Sequence, residues 1–113
     1  MAYSTITKAS AHFNTKTYTG TGSSNALTGV GFQPDLTWIK LLNGAAHHFW
    51  TDAVRGVTKT IYSSANSAEA TQSQGLTAFG TDGFTVGTNA GVNESGDSYA
   101  SWNWKAGTTS GIT

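Results

Sequence analysis

Apolar and polar residues alternate along most of this chain with a period of two, the spacing of strands whose successive side chains point to opposite faces. The pattern is clearest from Leu36 to Leu42, where Leu36, Trp38 and Leu42 point one way and Thr37, Ile39 and Leu41 the other. Apolar groups on both faces predict a central strand, or a strand whose outer face a partner covers. From Tyr99 to Lys105, Ala100, Trp102 and Trp104 share one face, and Ser101, Asn103 and Lys105 the other. Shorter β-rich runs lie at Ala11–Thr19, Ala26–Val30, His47–Trp50, Thr58–Tyr62, Leu76–Phe79 and Phe84–Val86.

Turn signals separate these runs. Pro34 is the only proline. It lacks a backbone N–H and pushes Gln33 into extended geometry, so it suits the entry to the Leu36 strand. Asn43-Gly44 and Asp82-Gly83 read as hairpin turns, and Asp52 to Gly56 as a further turn. Ser63 to Gln74 is the one candidate helix; it has no apolar stripe, so an ordered loop fits equally well. Many short strands between turns predict an all-β fold, an antiparallel β-sandwich. Residues 1–10 read as an arm or edge strand, 11–106 as the sandwich and 107–113 as a linker. Large aromatics are usually mostly buried, so Trp38, Trp102 and Trp104 are expected in the core.

Composition narrows the function. The 113 residues carry six basic and six acidic side chains, for zero net charge, so the basic patch of a nucleic-acid binder is missing. There are no cysteines, which excludes disulfides and thiolate zinc sites. No apolar run is long enough to span a bilayer as a helix, and no signal-peptide core opens the chain. No nucleophile elbow or phosphate-cradling loop is present, and nothing pairs two acids for glycoside hydrolysis. The expectation is a protein that is not an enzyme and uses no cofactor.

Several residues still invite a functional reading. Trp50 lies at a hairpin end among polar neighbours, and exposed tryptophans can stack on sugar rings. His47-His48 with Asp52 offers metal-ligand chemistry, but adjacent strand residues point apart, so a surface histidine pair is the better reading and no metal site is expected. Asp52 and Arg55 can contact a ligand, or can brace their own turn. Trp50, Arg55 and His48 are therefore the candidate ligand contacts. Asn89, Asn93, Glu94 and Asp97 form an oxygen-rich loop without the spacing of a known calcium loop.

The phrase Gly31-Phe32-Gln33-Pro34-Asp35-Leu36-Thr37-Trp38-Ile39-Lys40, then Asp52-x-x-Arg55-Gly56, Glu69-Ala70-Thr71, Asp82-Gly83-Phe84-Thr85-Val86-Gly87 and Trp102-x-Trp104-Lys105, resembles a β-sandwich module of bacteriophage tail and fibre proteins, common in phages of marine bacteria and cyanobacteria. The resemblance spans about residues 11 to 106. It implies a jelly-roll, SPRY-like or lectin-like sandwich acting as a structural or host-adhesive virion part, made in the host cytoplasm. The implied partners are copies of itself, other virion proteins and a host surface glycan, with no nucleic acid and no membrane insertion. A capsid-surface or other particle-assembly role, working only through protein contacts, is the alternative. The chain departs from the resemblance at Leu41-Leu42, where relatives carry a polar run. The extra apolar residues predict a contact between chains built from Leu41, Phe49 and Trp50.

Overall fold

The computed structural model describes residues 9–106. The expected linker over 107–113 and most of the expected N-terminal arm lie outside these residues. A single 3-10 turn at Ala9–Ala11 leads into β1 (Phe13–Thr19). Then follow β2 (Asn25–Leu27), β3 (Leu36–Leu41), β4 (Phe49–Asp52), β5 (Lys59–Tyr62), β6 (Ala70–Thr71), β7 (Leu76–Gly80) and β8 (Gly83–Val86). A one-turn helix, α1 (Ala90–Asn93), precedes β9 (Ser98–Trp104).

The strands form two antiparallel sheets, one of six in the order β1-β9-β3-β4-β5-β6 and one of three in the order β2-β8-β7. The fold is an all-β sandwich. Ile39, Leu41, Phe49 and Tyr99 of the larger sheet meet Leu27, Leu76, Phe84 and Val86 of the smaller one, with Val92 of α1 closing one end. Tyr18 stacks on Tyr99 at 5.2 Å and donates from its hydroxyl to Val92 O at 2.7 Å. Burial, with the neighbouring Tyr99 second, drives the Tyr18 phenol far above its ordinary pKa, so it stays a neutral donor. Gly91 lets α1 approach β4, since a Cβ there would stand 2.6 Å from Phe49 Cε1.

The predicted alternation holds on β3 and β9, but the faces are reversed. Thr37 and Ile39 on β3, and Tyr99, Ser101 and Asn103 on β9, point inward and are buried. Trp38, Trp102 and Trp104 are not core residues: they stand half-buried on the opposite, outer face. The expected contact between chains is corrected in the same way. Leu41 is 7% exposed and Phe49 5%, and both belong to the core of the single chain. Neither is available to a partner. Trp50, the third residue of that expected contact, follows Phe49 in β4 and so faces out.

Two local expectations also change. The hairpin expected around Asn43-Gly44 forms between β3 and β4, but its connection spans 42–48 and is not a tight two-residue turn; within it Asn43 Oδ1 accepts from Ser98 N–H at 3.1 Å, which ties the segment to β9. Residues 63–74 hold turns and the two-residue β6 instead of a helix, as the missing apolar stripe allowed.

Candidate functional site

The outer face of the six-stranded sheet is paved with aromatics because register aligns them. Trp102 pairs with Trp38, Trp38 with Trp50, and Trp50 with Ile61, giving one row across four strands. A second row runs Phe13, Trp104, Leu36, Asp52. Ring centroids lie 4.6 Å apart for Trp38–Trp102 and 5.2 Å for Trp38–Trp50, with interplanar angles of 32° and 25°. That separation matches the strand spacing of about 4.8 Å. Rings repeating at this interval stand upright and face each other; they cannot lie flat on the sheet. Trp104 leans across to stack on Trp50 at 6.0 Å, and Phe13 packs on Trp104 at 5.1 Å.

The ladder thus consumes most of its own ring faces and presents edges to solvent. Its ends differ. Both rings that stack on Trp50 come from β3 and β9, on one side of β4. On the β5 side Trp50 pairs with Ile61. There it borders a cavity of about 390 Å³ lined by Leu36, Trp50, Asp52, Arg55, Ile61 and Ser63. Trp50 Nε1 is buried and is the one such side-chain atom without a hydrogen-bond partner among the described residues. Stacking, not hydrogen bonding, holds this indole.

Arg55 forms the polar wall. Its backbone N–H donates to Asp52 Oδ1 at 2.7 Å, and its Nε to Asp52 Oδ2 at 2.6 Å. Its terminal nitrogens donate to Glu69 Oε1 at 3.2 Å and to Trp50 O at 3.3 Å. Burial alone would push the Asp52 carboxyl up, but the Arg55 backbone N–H and guanidinium outweigh it and hold Asp52 below the usual carboxylate range. The turn that carries Arg55 is set by Gly56 at φ 101° and by Thr58 at φ 68°, a left-handed conformation that a β-branched residue rarely adopts. Two backbone bonds hold Thr58 there: its N–H donates to Leu76 O at 2.9 Å, and its carbonyl accepts from Gln72 N–H at 2.8 Å.

The three candidate ligand residues separate. Trp50 and Arg55 line one cavity. His48 does not line it: Trp38 Nε1 donates to His48 Nδ1 at 3.3 Å, and the two rings stack at 5.7 Å, so this imidazole is a member of the ladder. His47 turns away to Ser64 Oγ at 3.1 Å and stacks on Tyr62 at 4.6 Å, so the adjacent histidines do not converge. In the oxygen-rich loop, Asn93 is fully buried and its amide is spent on Thr21 N–H, Ser23 O and Gly87 O. That side chain fastens loops and is not free for a cation. Asn89 caps α1 by accepting from Gly91 N–H at 2.7 Å.

Sequence reasoning missed Leu36, Ile61, Ser63 and Glu69 as neighbours of the site. The signal for Ile61 was its place on a β-strand beside a threonine, since Thr60 buries its hydroxyl inward and leaves Ile61 41% exposed.

The comparisons add one finding. Residues 8–113 match the family described as Domain of unknown function (DUF7483). The chain belongs to that family. No curated protein and no solved structure matches the chain.

Proposed function

We propose that this chain is a non-catalytic module of a bacteriophage virion, part of a tail fibre or short appendage, that attaches to a host glycan through the outer face of its six-stranded sheet. The observation that carries the adhesive reading is the outward placement of Trp38, Trp50, Trp102 and Trp104, with Trp50 lining a cavity that has a charged wall. Aromatic faces beside hydrogen-bonding side chains suit sugar rings, which are apolar on one side and hydroxylated at the rim. The virion reading is supported by the ordered motifs from Gly31 to Lys105. The acids nearest the cavity, Asp52 and Glu69, share Arg55 as ion-pair partners, an arrangement suited to bracing a loop and not to paired acid–base chemistry. The test is binding of the purified chain to polysaccharide extracted from susceptible host cells, followed by tryptophan fluorescence. Saturable binding supports adhesion; binding to neither polysaccharide nor intact cells overturns it.

A specific observation also favours assembly by protein contact alone. Phe13 and Ile61, 38% and 41% exposed, flank the ladder and extend its apolar surface to both sides. Zero net charge offers little repulsion between copies. Sedimentation velocity over a concentration series decides: self-association abolished by Phe13→Asp supports this second reading, and a monomer throughout counts against a homomeric form of it.

A further inference from the structure

The cavity at the β5 end of the ladder has a composition that selects among sugars. One wall is Trp50, flanked by the apolar side chains of Leu36 and Ile61. The other is polar, with Asp52, Arg55 and Ser63. A guanidinium has five N–H donors. Three atoms of Arg55 are engaged, Nε with Asp52, one terminal nitrogen with Glu69 and the other with Trp50 O. The terminal nitrogens therefore keep N–H groups to donate. The Asp52 oxygens keep lone pairs to accept, since each takes one bond from Arg55. A donor group and an acceptor group bonded directly to each other, Arg55 Nε to Asp52 Oδ2 at 2.6 Å, can serve two neighbouring hydroxyls of a sugar.

Charge sets the preference. The single cation of Arg55 is matched by two carboxylates, Asp52 at 2.6 Å and Glu69 at 3.2 Å. The group sums to one negative charge. Neither Glu69 nor Lys59 lines the cavity, but Glu69 is bonded to the Arg55 guanidinium that does, whereas Lys59 donates to Thr71 Oγ1 at 2.7 Å. An anionic sugar would meet an excess carboxylate and an arginine already neutralised. We infer that the cavity binds a neutral pyranose, its apolar face on Trp50 and two adjacent hydroxyls on Asp52 and Arg55, and that it discriminates against uronic and sialic acids. This rests on the glycan reading above and narrows it to a site and a class.

The test titrates the intact chain with glucose, galactose, mannose and N-acetylglucosamine oligomers, and in parallel with oligogalacturonate and N-acetylneuraminic acid, read by tryptophan fluorescence and by calorimetry. A ligand of this size is expected to bind with a Kd on the order of 1 mM. At least one neutral sugar should bind, and Trp50→Ala should weaken it by about tenfold or more. Ser63→Trp, at an exposed position, fills the same cavity and should abolish binding without removing any ring of the ladder, which keeps the test decisive where Trp50→Ala fails to fold. Thr81→Ala, at an exposed position between β7 and β8 of the smaller sheet, should leave binding within about twofold. Glu69→Gln removes the excess charge and should raise binding of the anionic sugars by about fivefold or less, as expected for an exposed charge. Neutral binding insensitive to both cavity variants overturns the site. Binding confined to the anionic sugars and lost in Ser63→Trp overturns the class, while glycan adhesion stands. A panel in which no sugar binds, together with binding of the same protein to host polysaccharide, overturns this inference alone; failure on both overturns the adhesive reading as well.

Discussion

The two faces of the six-stranded sheet invert the usual assignment of residues. Its inner face carries, besides Ile39, Leu41, Phe49 and Tyr99, a buried row of small polar side chains: Asn103 opposite Thr37, Thr37 opposite Thr51, and Thr51 opposite Thr60. The outer face carries all four tryptophans. The inner row is tolerated because its members bond one another. Thr37 Oγ1 donates to Asn103 Oδ1 at 2.9 Å, Asn103 Nδ2 donates to Ser101 Oγ at 3.1 Å and Asn14 O at 3.3 Å, and Ser101 Oγ donates to Lys16 O at 2.9 Å. Each satisfied pair avoids the roughly 1–3 kcal/mol lost when a buried polar group goes unpaired. On the outer face the tryptophans shield each other, so no second layer is needed to cover them. Burial is decided by whether a side chain finds its complement, not by its hydropathy alone.

The largest effect should come from cutting the inner row. Asn103→Ala removes a fully buried side chain and strands Thr37 Oγ1, and should lower stability by about 3 kcal/mol in urea unfolding. A loss well under 1 kcal/mol would show that the polar row is dispensable. Next comes the ladder. Trp38→Ala removes the middle ring, with its two tryptophan contacts and the bond to His48, and should cost about 2–3 kcal/mol, somewhat below the value for a fully buried tryptophan. The exciton couplet that stacked indoles give in circular dichroism should weaken with it, leaving the Trp50–Trp104 pair as the remaining source. An undiminished couplet would mean Trp38 is not coupled to its neighbours.

Acid sensitivity should separate the faces from the turns. The inner row contains no ionisable group, so pH acts instead at Asp52 and at Asp82, whose carboxylate accepts from Gly29 N–H at 2.9 Å and Gly31 N–H at 2.7 Å. These two backbone bonds hold Asp82 below the usual carboxylate range, as those of Arg55 do for Asp52. A folded pKa below the unfolded value of about 3.9 means the stabilisation is complete above that pH and is lost as pH falls through the lower folded value. The melting temperature should therefore stay level from neutral pH to about 4 and drop below it. Asp82→Asn should shallow that drop; an unchanged profile would remove Asp82 from the account. The smallest effect is the sharpest test of the inner row. Replacing both partners of the Thr51–Thr60 contact, Thr51→Val with Thr60→Val, keeps the shape and strands neither hydroxyl, so stability should stay within about 1 kcal/mol of wild type, against a clear loss for Asn103→Ala. A loss as large as that of Asn103→Ala would show that the threonine hydroxyls hold the sheet.

Much of the architecture was legible. The strand positions, the sandwich and the bracing of the Asp52 turn by Arg55 follow from alternation, turn residues and the chemistry of a short Asp–Arg spacing. Which face of β3 and β9 looks inward was not legible. Alternation gives two faces and leaves their labels to hydropathy, which puts tryptophan inside. The correct labels depend on Thr37, Thr51, Thr60 and Asn103 lining up across four strands, and that alignment is a property of register, set by contacts distant in the chain. The same holds for Leu41 and Phe49, which an apolar local run marks as surface excess but which pack against β7, β8 and α1. The cavity was half visible: Trp50 and Arg55 stood out by type, whereas Leu36, Ile61 and Ser63 reach it only through strand pairing.

One further consequence is mechanical. β1 and β9 are neighbours and antiparallel, with Phe13 opposite Trp104 and Thr19 opposite Ser98. Both ends of this pair thus emerge at the same corner of the sheet. Tension applied through Phe13 and Trp104 would peel the two strands apart one rung at a time, whereas tension through Thr19 and Trp104 would load every rung together. Force spectroscopy with handles at those two pairs of positions should find the first geometry yielding at clearly lower force, and equal forces would contradict it. A sheet loaded through Phe13 and Trp104 is a poor link in a stretched cable, because its rungs yield in turn and never share the load.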